Sequence, residues 1–218
     1  THGMPRKPAR EQGDTLSIIQ EQAFQLFGRY GYEGVSIGDI ARHAKLSKGA
    51  LYWHFPGKDA LFLSCLQRVH DLFNSYIFVP MAQESRPGLG ILRLFEGLED
   101  LLKDARIQNG IAGYWLLPSS PEAGPILKAQ GAFEASAIET VRQTLLRGQQ
   151  SGIITLGAEI DDMSRAIISL VEAIILPMRH QAADEVHRTL GVLVRTLFRA
   201  YADPASMTLL DRFSRPTA

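Results

Sequence analysis

Ser36-Ile-Gly-Asp-Ile-Ala-Arg-His-Ala-Lys-Leu-Ser-Lys-Gly-Ala-Leu-Tyr-Trp-His-Phe55 is the stretch that decides the fold. Ser36 and Asp39 have the spacing of a capping box, in which a side chain at each end satisfies a free backbone N–H of the other. Ile37, Ile40, Ala41 and Ala44 then recur on one helical face, so a short helix over 36–44 is expected. Lys45-Leu46 makes a tight link, and Ser47 is a good N-cap for a second short helix over Lys48–His54. Phe55-Pro56-Gly57 breaks the chain. Two short helices joined this closely read as a helix-turn-helix.

In that motif the second helix enters the major groove of duplex DNA and its first residues meet base edges. Lys48-Gly49-Ala50 suits this: two small residues allow close approach, and Lys48 reaches guanine O6/N7 or a phosphate. Ser36 and Ser47 sit at helix N-termini, where a hydroxyl and free N–H groups suit a phosphate oxygen. Leu51 and Phe55 are read into a small core with Ile37, Ile40 and Leu46. Tyr52, Trp53 and His54 follow; core is one reading of Tyr52, which adjoins Leu51 and Phe55, and plain surface cover is one reading of Trp53.

Helical periodicity extends in both directions. A helix over 15–30 is expected, with Ser17 and Gln20 at capping-box spacing, Ile19, Ala23 and Phe27 inward, and Gly31 as its stop. Further helices are expected over 58–76, 89–105, 126–149, 161–179 and 184–201, with an irregular stretch holding one short helix over 108–125. The last two are more apolar than a monomer's core needs, which marks a subunit interface carried by Ile167, Leu170, Ile174, Met178, Leu190, Val194 and Leu197. Phe73, Phe95, Tyr114, Trp115 and Phe133 are either plain core or the lining of a cavity for a small, largely apolar ligand.

Composition narrows the classes. The 218 residues carry 23 basic and 23 acidic side chains, and 45% are hydrophobic, which excludes a disordered or disulfide-dense chain. The first 60 residues hold eight basic and six acidic groups, an asymmetry that only permits nucleic-acid binding. One cysteine, Cys65, forms neither an intramolecular disulfide nor a cysteine-rich zinc site and reads as a packed small hydrophobe. Residues 1–14 read as a tag remnant (Thr1-His2-Gly3) and a flexible basic arm around Arg6-Lys7-Pro8-Ala9-Arg10, either a loose tail or a minor-groove contact. No secretory signal and no membrane span is read, so a cytoplasmic protein is expected. His180, Asp184 and His187 have metal-like spacing, but a helix break between the first two argues against a shared site. No nucleophile, metal or phosphate-loop motif is present, so neither an enzyme nor a cofactor is expected.

Over Ile19–Leu61 the pattern A-F-x-L-F-x-x-x-G-Y-x-x-V-S-I-x-D-I-A-x-x-A-x-L-S-K-G-A-L-Y-W-H-F-x-x-K-x-A-L resembles the TetR family of bacterial transcriptional regulators. The resemblance implies an all-α chain: a helix-turn-helix domain (15–57), then a ligand-binding and dimerisation domain (58–202) entered by a connecting helix (58–76), and a C-terminal tail (203–218). It puts Ser36 and the Tyr52 hydroxyl on phosphate and Lys48 at the start of the recognition helix. Gly49 and Ala50 fall on base-approaching positions, Trp53 and His54 at the groove edge, and Lys58 on the DNA backbone, although Lys48 and Lys58 also suit plain solvated lysines. One departure stands out: Lys45 occupies a turn position where the family often has glycine, and a lysine at positive φ carries a small cost. The function implied is a homodimeric repressor of a palindromic operator, released by a small-molecule effector. The alternative is a helical small-molecule-binding protein, or a small enzyme, with no transcriptional role.

Overall fold

A computed structural model describes residues 9–86, 88–107, 110–178 and 182–201, together with 204 and 208. Among these the chain is all-α: α1 (Ala9–Tyr30), α2 (Ile37–Ala44), α3 (Lys48–His54), α4 (Lys58–Phe73), α5 (Val79–Gln83), α6 (Leu89–Leu102), α7 (Gly124–Gln150), α8 (Ile160–Met178) and α9 (Ala183–Tyr201). The contacts divide it into two units. The first holds residues 1–69 and 109–129, the second residues 70–108 and 130–218. The sequence reading puts 109–129 with the later helices; the contacts put them with the first.

In the first unit α1, α2, α3 and the start of α4 enclose Ile19, Phe24, Phe27, Ile40, Leu51, Leu61 and Phe62, all at most 1% exposed. α1 begins at Ala9, six residues earlier than expected, because nothing stronger than Gly13 interrupts it. Ser17 and Gln20 therefore lie inside the helix and cap nothing; Gln20 Nε2 instead reaches Ser64 Oγ of α4 at 3.5 Å. The stretch 108–125, expected to hold one short helix, holds two 3₁₀ turns, Ala112–Trp115 and Pro121–Ala123. The first lies directly on α1: a Cβ on Gly113 would sit 2.1 Å from the Phe27 carbonyl oxygen, so only glycine fits. Tyr114 fills the core beside Phe24 and Phe62, with ring centroids 5.6 and 5.5 Å away.

In the second unit the helix expected to run on to Tyr76 changes register. α4 ends at Phe73 and a π-helical turn covers Asn74–Phe78 before α5. Pro80 has no N–H to give the Tyr76 carbonyl, and the ladder accommodates this by a wider turn, with Val79 N–H donating to Asn74 O. Gly97 of α6 packs on that same carbonyl, where a Cβ would come within 2.1 Å. α6 stops at Leu102, three residues short of the expected end, and a 3₁₀ turn follows over Ala105–Ile107.

The apolar stripe of α8 and α9 points mostly inward. Ile167, Ile174, Leu190 and Val194 are buried within the unit itself, which corrects their assignment to a subunit interface. Periodicity identifies an apolar face but not the element that covers it. Leu170 and Leu197 are half-buried, and the side chain of Met178 lies outside the described residues. The outward face carries Ala166, Ser169 and Ala173 on α8 and Thr189, Val192 and Thr196 on α9. No helix among the described residues is long and apolar enough to cross a membrane.

Candidate nucleic-acid interface

Three caps set the geometry of the helix pair. Ser36 holds extended backbone and its Oγ accepts from Asp39 N–H at 3.1 Å, while Asp39 Oδ2 accepts from Ser36 N–H at 2.9 Å. The Ser36 hydroxyl also donates to Asp39 Oδ2, and this bond, with the backbone bond and Arg42, holds the carboxyl at about 2. The Ser36 hydroxyl, expected on phosphate, thus already serves the capping box. At the other end Lys45 closes α2 in the left-handed region at φ +56°, and Leu46 N–H reaches the Ala41 carbonyl at 2.9 Å. It is the one non-glycine residue at positive φ among those described, where the sequence reading places the cost. Ser47 Oγ then accepts from Ala50 N–H at 3.2 Å and starts α3.

α3 has two different sides. Leu51 is 1% exposed and locks the helix onto the core, with Phe55 half-buried behind it. Tyr52 and Trp53 are 54% and 71% exposed, which removes the core reading of Tyr52. Lys48 and Gly49 are exposed as well, so residues 48, 49, 52 and 53 form one outward stripe at helical spacing; Ala50 and His54 flank it, half-buried. The Lys48 stem lies over the first turn of α2, its Cε 3.0 Å from where a Cβ on Gly38 would sit. Glycine there leaves room for the lysine to lie across both helices.

Lys58 has a different place from the one expected. Its ammonium donates to the carbonyls of Tyr32 at 3.0 Å and Val35 at 3.1 Å, and it stands 4.0 Å from the Tyr32 ring centre. Tyr32 in turn donates its hydroxyl to Asp59. Lys58 therefore ties the link between α1 and α2 to the first turn of α4. Sequence spacing gives no sign of this, because the acceptors are main-chain carbonyls 26 and 23 residues upstream.

The aromatic set proposed for a ligand is divided. Tyr114 and Trp115 belong to the first unit, where Tyr114 is 1% exposed core and Trp115 is half-buried. Phe73, Phe95 and Phe133 belong to the second. There Phe73 and Phe133 meet edge-on at 6.2 Å, and His70, which the sequence reading misses, stacks on Phe133 at 4.1 Å and bonds Gln130 at 2.9 Å. Burial lowers the His70 pKa from its ordinary value. Phe95 is fully buried core. Cys65 is buried, and burial pushes its thiol up to about 12. His187 bonds Glu99 at 2.9 Å and Asp184 bonds Arg188 at 2.7 Å; His180, like Arg6 and Lys7, lies outside the described residues. Among those described, no group of three or more metal-ligating side chains comes together.

A helix-turn-helix with an outward stripe on its second helix, in an all-α chain, defines the class of helix-turn-helix regulatory proteins. The family description "Bacterial regulatory proteins, tetR family" matches residues 19–65. TtgW of Pseudomonas putida (strain DOT-T1E), an uncharacterized HTH-type transcriptional regulator, is 31% identical over 136 residues, 62% of this chain and 88% of TtgW. SrpR of Pseudomonas putida is also 31% identical over 136 residues, but the match spans only 55% of its length. For TtgR of Pseudomonas putida (strain DOT-T1E) the match spans about half, 51%. The chain belongs to the TetR family. Solved structures share the fold: a γ-butyrolactone receptor (TM-score 0.72, 21% identity, 93% of this chain and 98% of that one); SmeT in complex with triclosan (0.70, 19%, 88% and 94%); and NalD, the secondary repressor of the MexAB-OprM multidrug efflux pump in Pseudomonas aeruginosa (0.68, 22%, 89% and 99%).

Proposed function

We propose that this chain is a DNA-binding transcriptional regulator that works as a homodimeric repressor of a palindromic operator and is released by a small, largely apolar effector. The observation that carries the reading is the outward stripe of α3. Lys48, Tyr52 and Trp53 stand exposed on a helix whose opposite side is fixed by Leu51. An exposed tryptophan and tyrosine beside a lysine and a glycine suit a groove wall, where rings cover sugar and phosphate while the small residues face the bases.

Two such helices about 34–36 Å apart would meet successive major grooves on one face of the duplex. The effector would bind better to a spacing that does not fit, and operator affinity falls by that difference in affinity. The covalent route between the units supports this. α4 begins in the first and ends in the second, with Lys58 anchored to the α1–α2 link at its start. Repression and a small-molecule ligand are properties of NalD and SmeT by their descriptions, and they come to this chain only as part of this proposal.

The test is selection of binding sites from a random duplex library near physiological salt, with Lys48→Ala in parallel. A palindromic site is expected, and the variant should lose about 1–3 kcal/mol on it if Lys48 reads a base. A uniform loss on every sequence reassigns Lys48 to phosphate. Binding with no salt dependence, or none at all by folded protein freed of bound ligand, favours the alternative of a helical ligand-binding protein without DNA.

A further inference from the structure

Gly38 sits in the first turn of α2, under the side chain of Lys48. A Cβ added to it would lie 3.0 Å from Lys48 Cε, 3.4 Å from Lys48 Nζ and 3.5 Å from Ser36 Oγ. The first of these is tighter than an ordinary contact, so with any other residue the end of the lysine has to move. The backbone makes no demand for glycine here. Gly38 is helical and is not among the glycines at positive φ, and glycine is a poor helix former. What glycine supplies at this position is the space above it.

The lysine uses that space to lie back over α2. Its ammonium and the Ser36 hydroxyl flank one spot on the first turn of that helix. No carboxylate holds the ammonium there. Asp39, the acidic residue of the turn, is engaged by Ser36 and Arg42, and Lys48 has no ion pair among the described residues. A cation over the positive end of a helix is placed for an anion that meets both. The start of α3 is meanwhile left bare: a Cβ on Gly49 would meet nothing closer than Ser47 Oγ at 3.8 Å.

In a helix-turn-helix the first helix crosses the phosphate backbone while the second lies in the groove. We propose that Lys48, although carried by the second helix, delivers its charge to the phosphate that α2 crosses and not to a base, and that Gly38 is the positioning residue that gives it room. This rests on the regulator reading and names the partner that Lys48 takes within it. Sequence preference then comes from the close approach of Gly49 and Ala50 and from the shape of the duplex.

Affinity is measured over a salt series for the full-length parent, Gly38→Ala, Lys48→Ala and the double variant, on the selected operator and on a scrambled duplex of the same length. Lys48→Ala is expected to weaken both duplexes alike, about tenfold, and to lower the slope of log affinity against log salt by about one. Gly38→Ala should weaken both by about threefold and yet unfold at no lower urea concentration than the parent, because alanine is the better helix former. In the Lys48→Ala background Gly38→Ala should add no loss. A Lys48→Ala loss confined to the operator overturns the phosphate assignment. Losses that add in the double variant, which place the new methyl against the DNA itself, overturn the positioning role, as does unchanged affinity of Gly38→Ala. A second readout needs no DNA. With ¹³C-labelled lysine, the ε-methylene signal of Lys48, assigned by its absence from Lys48→Ala, should move in Gly38→Ala while those of Lys45 and Lys58 stay. An unmoved signal overturns the contact. A parent that binds neither duplex overturns the regulator reading instead, so the two failures are distinct.

Discussion

Tyr114 donates its hydroxyl to the main-chain carbonyl of Phe24 at 2.8 Å, across 90 residues of sequence. The bond fastens the 3₁₀ turn over 112–115 to the middle of α1. Around it the contact is backbone on backbone: a Cβ on Gly28 would meet the Gly110 carbonyl oxygen at 2.3 Å. Burial drives the hydroxyl well above its ordinary value, so it stays a neutral donor throughout the working pH range.

Two variants should separate the bond from the fit. Tyr114→Phe keeps the ring packing and removes one buried neutral hydrogen bond, so a loss of about 1 kcal/mol is expected in urea melts. Gly113→Ala drives a methyl into the Phe27 carbonyl and should cost more, about 1–3 kcal/mol. Equal stability of Gly113→Ala and the parent protein would show that the turn is not seated on α1.

What was legible in the sequence is what is local. Ser36, Asp39 and Ser47 reach partners three residues away, and the cap geometry follows from spacing alone. Lys45 at positive φ was legible only through the family resemblance, because spacing alone does not single out that turn position. The partners of Tyr114 and Lys58 are carbonyls, which every residue carries, so no residue type at any spacing announces them. Periodicity placed Ile167 and Val194 on apolar faces correctly, but the covering element is a matter of tertiary packing. The change of register after Phe73 follows from Pro80, a residue whose missing N–H can be read only once the helix is known to run through it.

Lys45 offers a stabilising change. The left-handed conformation costs an L-residue about 1–2 kcal/mol, while glycine loses more chain entropy on folding. The first effect exceeds the second here, because Lys45 is exposed and its side chain has no hydrogen bond or ion pair among the described residues. Lys45→Gly should stabilise the first unit by about 0.5–1 kcal/mol. Chemical denaturation checks this; a destabilised variant would mean that the lysine side chain contributes contacts of its own.

Lys58→Met separates the bridging role of that lysine from a contact with the DNA backbone. The substitution keeps the stem over Tyr32 but removes the charge-assisted bonds to Tyr32 O and Val35 O, worth about 1.5–3 kcal/mol in stability. Lys48→Ala, by contrast, should leave stability within about 0.5 kcal/mol, since Lys48 is exposed. On DNA, Lys58→Met should keep the parent slope of log affinity against log salt. A slope reduced by about one would return Lys58 to the phosphate backbone.

His70 gives the second unit a pH dependence. Its folded pKa is depressed by burial, so its contribution is present above the ordinary histidine value of 6.5 and is lost as pH falls through the lower folded value. His70→Phe retains the stack on Phe133 but cannot titrate. The fall in Tm between pH 8 and pH 5.5 should therefore be smaller in the variant than in the parent. An identical fall would place the acid sensitivity elsewhere.

Two aspartates on α8 and α9 distinguish an inner from an outer face. Val192 is 62% exposed, on a side of α9 that Thr189 and Thr196 extend with small groups. Ile174 is 8% exposed and packed inside the unit. Val192→Asp places a charge on this exposed face without touching the core, and tests whether the face is the pairing surface of the proposed homodimer. It should sediment as a folded monomer with unchanged helical content and lose affinity for a two-half-site duplex. Ile174→Asp buries an unpaired carboxylate and should unfold the second unit, at about 3–5 kcal/mol, before any question of pairing arises. An intact dimer for Val192→Asp would move the interface off this face of α9. A folded monomer for Ile174→Asp would show that the inner face is reachable by a partner and overturn its assignment to the core.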